Sequence, residues 1–227
     1  MKTLIIIPAR GGSKGLPGKN IKLLNGKPLI CYSIDVAKKI EIDSNICVST
    51  ENDEIISIVE NYGLHVPFKR PAELATDNAS TYDVLLHAIS YYEAKNIFYD
   101  VIVLLQPTSP FRTEQHIKEA ISLFNKDIDM VVSVQKSHAA ASLCRENENG
   151  ILDLIINKDN YRRQDLDSYY EYNGSIYVIN VNSLKNNRIE AFTKKIKYVM
   201  PAIYSVDIDN QYDWDIAEFL MKKYHEQ

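Results

Sequence analysis

Several absences narrow the function of this 227-residue chain before any motif is read. Cysteine is scarce. Cys31, Cys47 and Cys144 are odd in number, far apart and without metal-site spacing, which excludes a disulfide scaffold and a thiolate centre. They read as reduced thiols of a cytoplasmic protein. Histidine is sparse as well: His65, His87, His116, His138 and His225 form no ligand pattern, so histidine chemistry has no basis here. Basic charge is not in excess, since the net charge is −4, and general binding to nucleic acid or to a membrane surface is not expected. No apolar run has the length of a membrane span, and the N-terminus lacks the charged–apolar–small pattern of a signal peptide. Repeats and low-complexity segments are missing too.

Two common phosphate signatures are also lacking. A Walker A loop needs Ser or Thr after Gly18-Lys19 and a glycine at Ser13, and neither is present. The fingerprint G-x-G-x-x-G cannot be placed on Gly11, Gly12, Gly15 and Gly18. What stands there is IPARGGSKGLPGKN, residues 7–20, at the end of the apolar run Leu4 to Ile7. A buried strand emptying into a glycine-rich, basic loop presents backbone N–H groups to phosphate, and Arg10, Lys14 and Lys19 add charge. An ordinary turn with solvated lysines is the plainer reading of the same residues.

With 45% hydrophobic residues the chain can bury a full core, and one domain over 1–227 is expected. Strands and helices alternate. Ile30, Ile34, Ala37 and Ile40 recur at helical spacing, as do Ile55, Ile58, Val59 and Tyr62, then Leu85, Ala88, Ile89 and Tyr92, then Ile117, Ala120, Ile121 and Phe124. Between them, Ile46 to Ser49, Val101 to Leu105 and Met130 to Val134 read as buried strands. Such alternation predicts an α/β fold, a doubly wound, mostly parallel Rossmann-like sheet. Ligands then bind beyond the carboxyl ends of the strands, which puts loops 9–20, 50–53, 70–81 and 106–112 at one rim. The rhythm breaks over 135–172, a polar insertion that must nonetheless bury Leu143, Ile151, Leu154 and Ile155, either on its own sheet or on a second copy of the chain. Ser175 to Ile179 resumes the core pattern, and Ile216, Phe219 and Leu220 mark a last helix capped near Asp213.

Three further constellations carry chemistry. Asp207 and Asp209 lie two apart on an extended segment and so share a side, a pattern suited to magnesium, although solvent-facing carboxylates look the same. Gln106-Pro107-Thr108-Ser109-Pro110-Phe111-Arg112-Thr113 follows the most buried strand and places polar groups for a substrate, while Thr113 caps a helix with Glu114 in its first turn. Arg162-Arg163 pairs two guanidinium groups, either for an acidic substrate or as a surface pair. Arg70 before Pro71 is held extended, with no ligand specified.

Taken in order, IPARGGSKGLPGKN, RPAELATDNAS, LLQPTSPFRT, RRQDLDSYYEYNGSIYVIN and SVDID followed by DWDIAE resemble the N-acylneuraminate (sialic acid) cytidylyltransferases, including the enzymes that activate legionaminic acid. The resemblance runs from the first strand to the last helix. It implies that Arg10, Ser13 and Lys14 hold the triphosphate, with Arg10 and Lys14 stabilising charge at the attacked phosphorus. Asn20, Arg70, Ala79 through its backbone and Thr81 bind the cytidine. Gln106 contacts the sugar acid, Arg163 with Arg162 meets its carboxylate or the reacting phosphate, and Asp207 with Asp209 carries magnesium, manganese being the alternative ion. The insertion over 135–172 becomes the dimerisation element of a homodimer. Glu171 stands where some bacterial members carry arginine, so the identity of the nine-carbon acidic sugar is left open between sialic and legionaminic acid. The implied reaction is attack of the sugar's anomeric hydroxyl on the α-phosphorus of CTP with release of pyrophosphate. Two rivals remain: a D-x-D nucleotide-sugar glycosyltransferase and a nucleotide-binding regulator without turnover.

Overall fold

The structure is a computed structural model that describes residues 1–137, 142–155 and 168–224. Its centre is a six-stranded sheet in the order β10-β6-β9-β5-β1-β4. Strand β1 (Thr3–Pro8) pairs in parallel with β4 (Ile46–Ser49) on one side and β5 (Val101–Leu105) on the other. Alternation divides each strand between two cores. Ile5, Ile7, Val101, Val103 and Leu105 face one side, and Leu4, Ile6, Ile102 and Leu104 face the other. Strands apolar on both faces need helices on both. Helices α1 (Leu29–Lys38), α2 (Asp53–Asn61) and α4 (Glu114–Ser122) cover the first face, and α3 (Thr81–Glu93) with α5 (Val181–Asn186) covers the second. Burial of each Val, Leu or Ile side chain contributes roughly 1.5–3 kcal/mol. The doubly wound, mostly parallel sheet expected from the alternation is the observed architecture.

Strand β9 (Tyr170–Asn180) departs from the parallel plan. It lies between β5 and β6 (Met130–Lys136) and runs antiparallel to both, while β10 (Lys195–Val199) pairs in parallel with β6. The reason is where the chain comes from. β6 ends at the carboxyl rim, and the chain returns to the sheet at that same rim, so the returning strand must run backwards. β9 is also longer than the expected core stretch. Its first residues pair as Gln135↔Glu171 and Lys136↔Tyr170, so both ends of the expected insertion belong to the sheet. The described middle is a hairpin, β7 (Cys144–Glu146) with β8 (Leu152–Leu154). Leu143, Ile151, Leu152, Leu154 and Ile155 are all exposed, so they do not pack on the chain's own core.

A second hairpin follows the glycine loop: β2 (Leu23–Leu24) and β3 (Lys27–Pro28) joined through Asn25 and Gly26, both at positive φ. The last helix forms where expected, as α6 (Gln211–Tyr224). Trp214, Ala217 and Met221 are buried, whereas Phe219 is exposed. Asp213 does act at its start: its carboxylate accepts from the Asp209 and Asn210 N–H groups, and Asn210 Oδ1 accepts from Asp213 N–H. The buried face of α6 joins Leu16, Leu24, Leu29, Phe111 and Ile208 in a third apolar cluster. That cluster binds together the glycine loop, the β2–β3 hairpin, the loop after β5 and the D-x-D segment.

Candidate active site

Every parallel strand delivers its loop to the same rim, where a cleft of about 310 Å³ opens. Arg10, Ser13, Asn20, Arg70, Ala79, Thr81 and Gln106 lie along its lining, together with Lys19, Asp77 and Thr108. Lys14 lies at a shallower neighbouring depression with Arg10 and Ser13. Arg162 and Arg163 fall outside the described residues.

The glycine loop is closed on itself by Asn20, whose Nδ2 donates to the Arg10 carbonyl at 2.9 Å. Glu51 then fixes it to the next loop. Glu51 Oε1 accepts from Gly11 N–H at 2.7 Å, and Oε2 accepts from Arg70 Nη2 at 2.6 Å. Arg70 is 4% exposed, and its N–H donates to the Thr50 carbonyl, so the loop after β4 holds it at both ends. Burial pushes the Glu51 carboxyl up, but the Arg70 guanidinium and the Gly11 N–H outweigh it and hold the group below the usual carboxylate range. Beyond Arg70 the chain makes a short 3-10 turn, Ala72–Ala75, and Ser80 caps α3 by accepting from Asp83 N–H. Asp77 from this connection reaches across the cleft mouth. Its two oxygens lie 2.8 Å from Arg10 Nη1 and 2.7 Å from Lys14 Nζ. First Lys14 and then Arg10 hold its carboxyl below the ordinary value.

The late aspartates are not among the residues lining this cleft, and the D-x-D segment meets it through Lys19. Lys19, 8% exposed, donates through Nζ to the Ile208 carbonyl at 2.5 Å and to Asp209 Oδ1 at 3.1 Å. Gly15 lies directly on the Asp209 carbonyl, where an added Cβ would collide with the oxygen. The basic opening turn and the D-x-D segment therefore touch through backbone and side chain alike. Asp207 and Asp209 flank the buried Ile208 on an irregular segment rather than a strand. Asp209 projects into solvent, its side chain 75% exposed.

Asp207 is the half-buried one. Burial raises its carboxyl above the ordinary value, against the Thr108 hydroxyl, Lys19 and Arg112. Its buried Oδ1 makes no hydrogen bond of ordinary geometry, the Thr108 hydroxyl that acts on the carboxyl being likewise unpartnered. A buried carboxylate oxygen left unpaired is costly unless a cation or donor meets it. Among the described residues no group of three His, Cys, Asp or Glu side chains could hold a metal. A hard cation here would take two carboxylates from the chain and its other ligands from phosphate oxygens and water, the manner of magnesium. The residues fit that ion.

Opposite Asp207, β9 bulges. Between the pairs Val132↔Tyr177 and Val134↔Tyr172 it carries more residues than β6, and Gly174 adopts φ +70°. Buried Asn173 fastens the bulge: Oδ1 accepts from the Ser133 hydroxyl at 2.6 Å, and Nδ2 donates to Ser205 Oγ at 2.9 Å. Ser205 lies two residues before Asp207, so the bulge and the D-x-D segment are tied. Glu171 sits at the start of β9, bonded to the Ser137 hydroxyl and to Gln135. On the far side of the loop after β5, Thr113 caps α4 as expected. His116 adds a part the spacing did not reveal: its Nδ1 accepts from Thr113 N–H to complete a capping box.

Sequence reasoning missed Glu51, Asp77, Asn173 and the tie from Lys19 to Asp209. Each acts through a partner 19 to 190 residues away, and no local period signals that. Only Lys19 had a signal, as one cation of the glycine loop.

A carboxyl-rim cleft lined by a basic glycine loop, with a pair of aspartates tied to it through Lys19, is an arrangement that accords with a nucleotide-handling α/β protein. The sequence profile of the cytidylyltransferase family matches residues 4–225, and the chain belongs to that family. It is 34% identical over 98% of its length to CMP-N,N'-diacetyllegionaminic acid synthase of Legionella pneumophila, covering 97% of that protein. It is 35% identical over its whole length to the N-acylneuraminate cytidylyltransferase of Escherichia coli, of which it spans 54%. Among solved structures, a CMP-2-keto-3-deoxy-manno-octonic acid synthetase in complex with CTP superposes with a TM-score of 0.71 at 18% identity, over 98% of this chain and 99% of that one, a likeness of fold.

Proposed function

We propose that the protein transfers the cytidylyl group of CTP to the anomeric hydroxyl of a nine-carbon acidic sugar of the sialic acid type, releasing pyrophosphate. The observation that supports this reading is the contact of Lys19 and Gly15 with the Asp209 segment, because it joins the basic turn that would take the triphosphate to the aspartates that would hold the metal. N-acetylneuraminate is the leading acceptor. Legionaminic acid is the second reading, favoured by the near-complete length match to the Legionella relative.

In this assignment Arg10, Ser13 and Lys14 take the phosphates, and Asn20, Arg70, the Ala79 backbone and Thr81 seat the cytidine. Gln106, with Arg162 and Arg163, orients the sugar acid. Asp207 and Asp209 would hold magnesium, which would supply Lewis-acid stabilisation of phosphate charge. The chain's own contribution is positioning and electrostatics. Charge develops on the phosphate oxygens in the transition state, where Arg10 and Lys14 would stabilise it once the phosphates replace Asp77 as their partner. Lys19, held by the Ile208 carbonyl and Asp209, keeps the two halves of the cleft in register.

The exposed apolar hairpin supports the reading of a homodimer, since a patch of this kind marks a protein contact. Sedimentation giving a monomer at micromolar concentration would remove that part. Cys31, Cys47 and Cys144 are free thiols, which accords with a cytoplasmic enzyme, and no described helix is long and apolar enough to cross a membrane. The test of function is a pyrophosphate assay of CTP, UTP and ATP against sialic, legionaminic and pseudaminic acids and Kdo. Pyrophosphate only with CTP and a nine-carbon acid supports the proposal. Free nucleoside diphosphate as product would instead indicate a glycosyltransferase, and tight CTP binding without pyrophosphate a regulator.

A further inference from the structure

Arg112 lies behind the cleft wall, 4% exposed, and all four of its hydrogen bonds go to neutral oxygens. The guanidinium donates to the Gln106 carbonyl at 2.7 Å, the Ser109 carbonyl at 2.6 Å, the Ser175 carbonyl at 3.3 Å and the Ser33 hydroxyl. The Asp207 carboxylate acts on it through space without an ion-pair contact, and a desolvated cation held in this way is an expensive means of tying a loop, so its geometry calls for a reason. The fork joins three separate segments: the exit of β5, helix α1 and the bulge of β9. Two of the carbonyls it gathers belong to Gln106 and to the residue following Gly174.

Gly174 shows what lies in front of that fork. A Cβ there would sit 2.7 Å from Asp207 Oδ2 and 3.4 Å from Gln106 Oε1. The Gln106 amide and the Asp207 carboxylate thus converge on one point that only glycine leaves open. The spacing between them depends on how β5 and β9 are held at the rim, beyond their last ladder pair, Leu105↔Ile176. Past that pair, Arg112 is what spans the gap.

We propose that Arg112 is a positioning residue that holds the Gln106 amide against the Asp207 carboxylate across Gly174, so that the sugar acid and the metal are bound along one shared edge. This rests on the cytidylyltransferase reading of the cleft. A lysine at 112 keeps the charge but cannot fork to several carbonyls at once. The nucleoside side of the cleft, assigned to Asn20, Arg70 and Glu51, supplies none of the four oxygens bonded to the fork.

The test is Arg112→Lys in the full chain, with the acid that the wild type turns over. Titration calorimetry should give a CTP affinity within about twofold of wild type. The KM for the sugar acid and the magnesium concentration at half-activity should each rise about tenfold, the loss of one charge-assisted hydrogen bond. Gly174→Ala, which pushes Asp207 and Gln106 apart directly, should show the same pattern, and it carries the test if Arg112→Lys does not fold. A variant with a lower melting temperature but unchanged acid KM and magnesium dependence overturns the proposal. So does a CTP affinity that falls in step with them. Wild-type protein that makes no pyrophosphate with any acid refutes the underlying function instead, and the inference falls with it.

Discussion

Glu51→Gln isolates the joint between the glycine loop and Arg70. Glu51 offers one oxygen to the Gly11 N–H and the other to Arg70 Nη2, at 2.7 and 2.6 Å. Glutamine has a single acceptor oxygen, so its NH₂ must face one of two donors. Either Arg70, with its side chain 3% exposed, is left as an unpaired buried cation, or the Gly11 N–H is orphaned. Removing one partner of a fully buried ion pair costs about 3–5 kcal/mol. Glu51 keeps 20% of its side chain exposed, and glutamine retains one of the bonds, so about 2 kcal/mol is expected here. For a chain of this size that lowers the melting temperature by about 4–8 °C.

The pH dependence follows from the sign of the shift. The Glu51 carboxyl is held below its ordinary value in the folded protein. Its contribution is therefore complete above the ordinary carboxylate pKa and is lost as pH falls through the lower, folded value. Calorimetric melts of wild type and variant should differ fully at neutral pH and converge in acid. The variant should also raise the KM for CTP, since Arg70 lines the cleft. Equal melting at pH 7, or a gap that does not change down to acid pH, would refute the reasoning.

Other perturbations read out other contacts. Arg10→Ala, Lys14→Ala and Asp209→Ala should each lose about a hundredfold or more in turnover while remaining folded by circular dichroism, and an active Asp209→Ala in magnesium would end the metal assignment. Asp77→Asn releases Arg10 and Lys14 from a carboxylate that competes with phosphate. CTP should bind the variant more tightly by calorimetry; weaker binding would make Asp77 a support of the seat rather than a competitor. Asp207→Asn should abolish turnover yet raise the melting temperature in EDTA at neutral pH. The raised pKa of Asp207 means that the folded state holds the proton more firmly, so the penalty appears as pH rises above the ordinary carboxylate range and is absent below it. A variant that melts lower than wild type in EDTA would contradict this.

Residues act at two ranges here, and the difference explains what could be read early. Leu4 to Ile7 and Val101 to Leu105 are strands because a run apolar on both faces can be satisfied only inside a sheet covered twice, and that is a property of consecutive residues. The periods of α1 to α4, the cap at Thr113 and the glycine loop after β1 are equally local. The Asn25-Gly26 hairpin was local too, but it carries only two residues per strand and is outweighed by the helical period that follows. In α6 two apolar stripes compete. Burial of Trp214, Ala217 and Met221 is decided by Leu16, Phe111 and Ile208, which lie far away in sequence.

By itself, then, the order of residues determined the α/β class, the carboxyl-rim location of the binding loops and the chemical types gathered there. Tertiary structure alone decided the direction of β9, the bulge at Gly174, the Glu51 bridge, the Asp77 clasp and the meeting of Lys19 with Asp209. Periodicity reports which face of an element is dry. Pairing between groups nearly two hundred residues apart depends on how those dry faces stack, and that is settled only when the cores close.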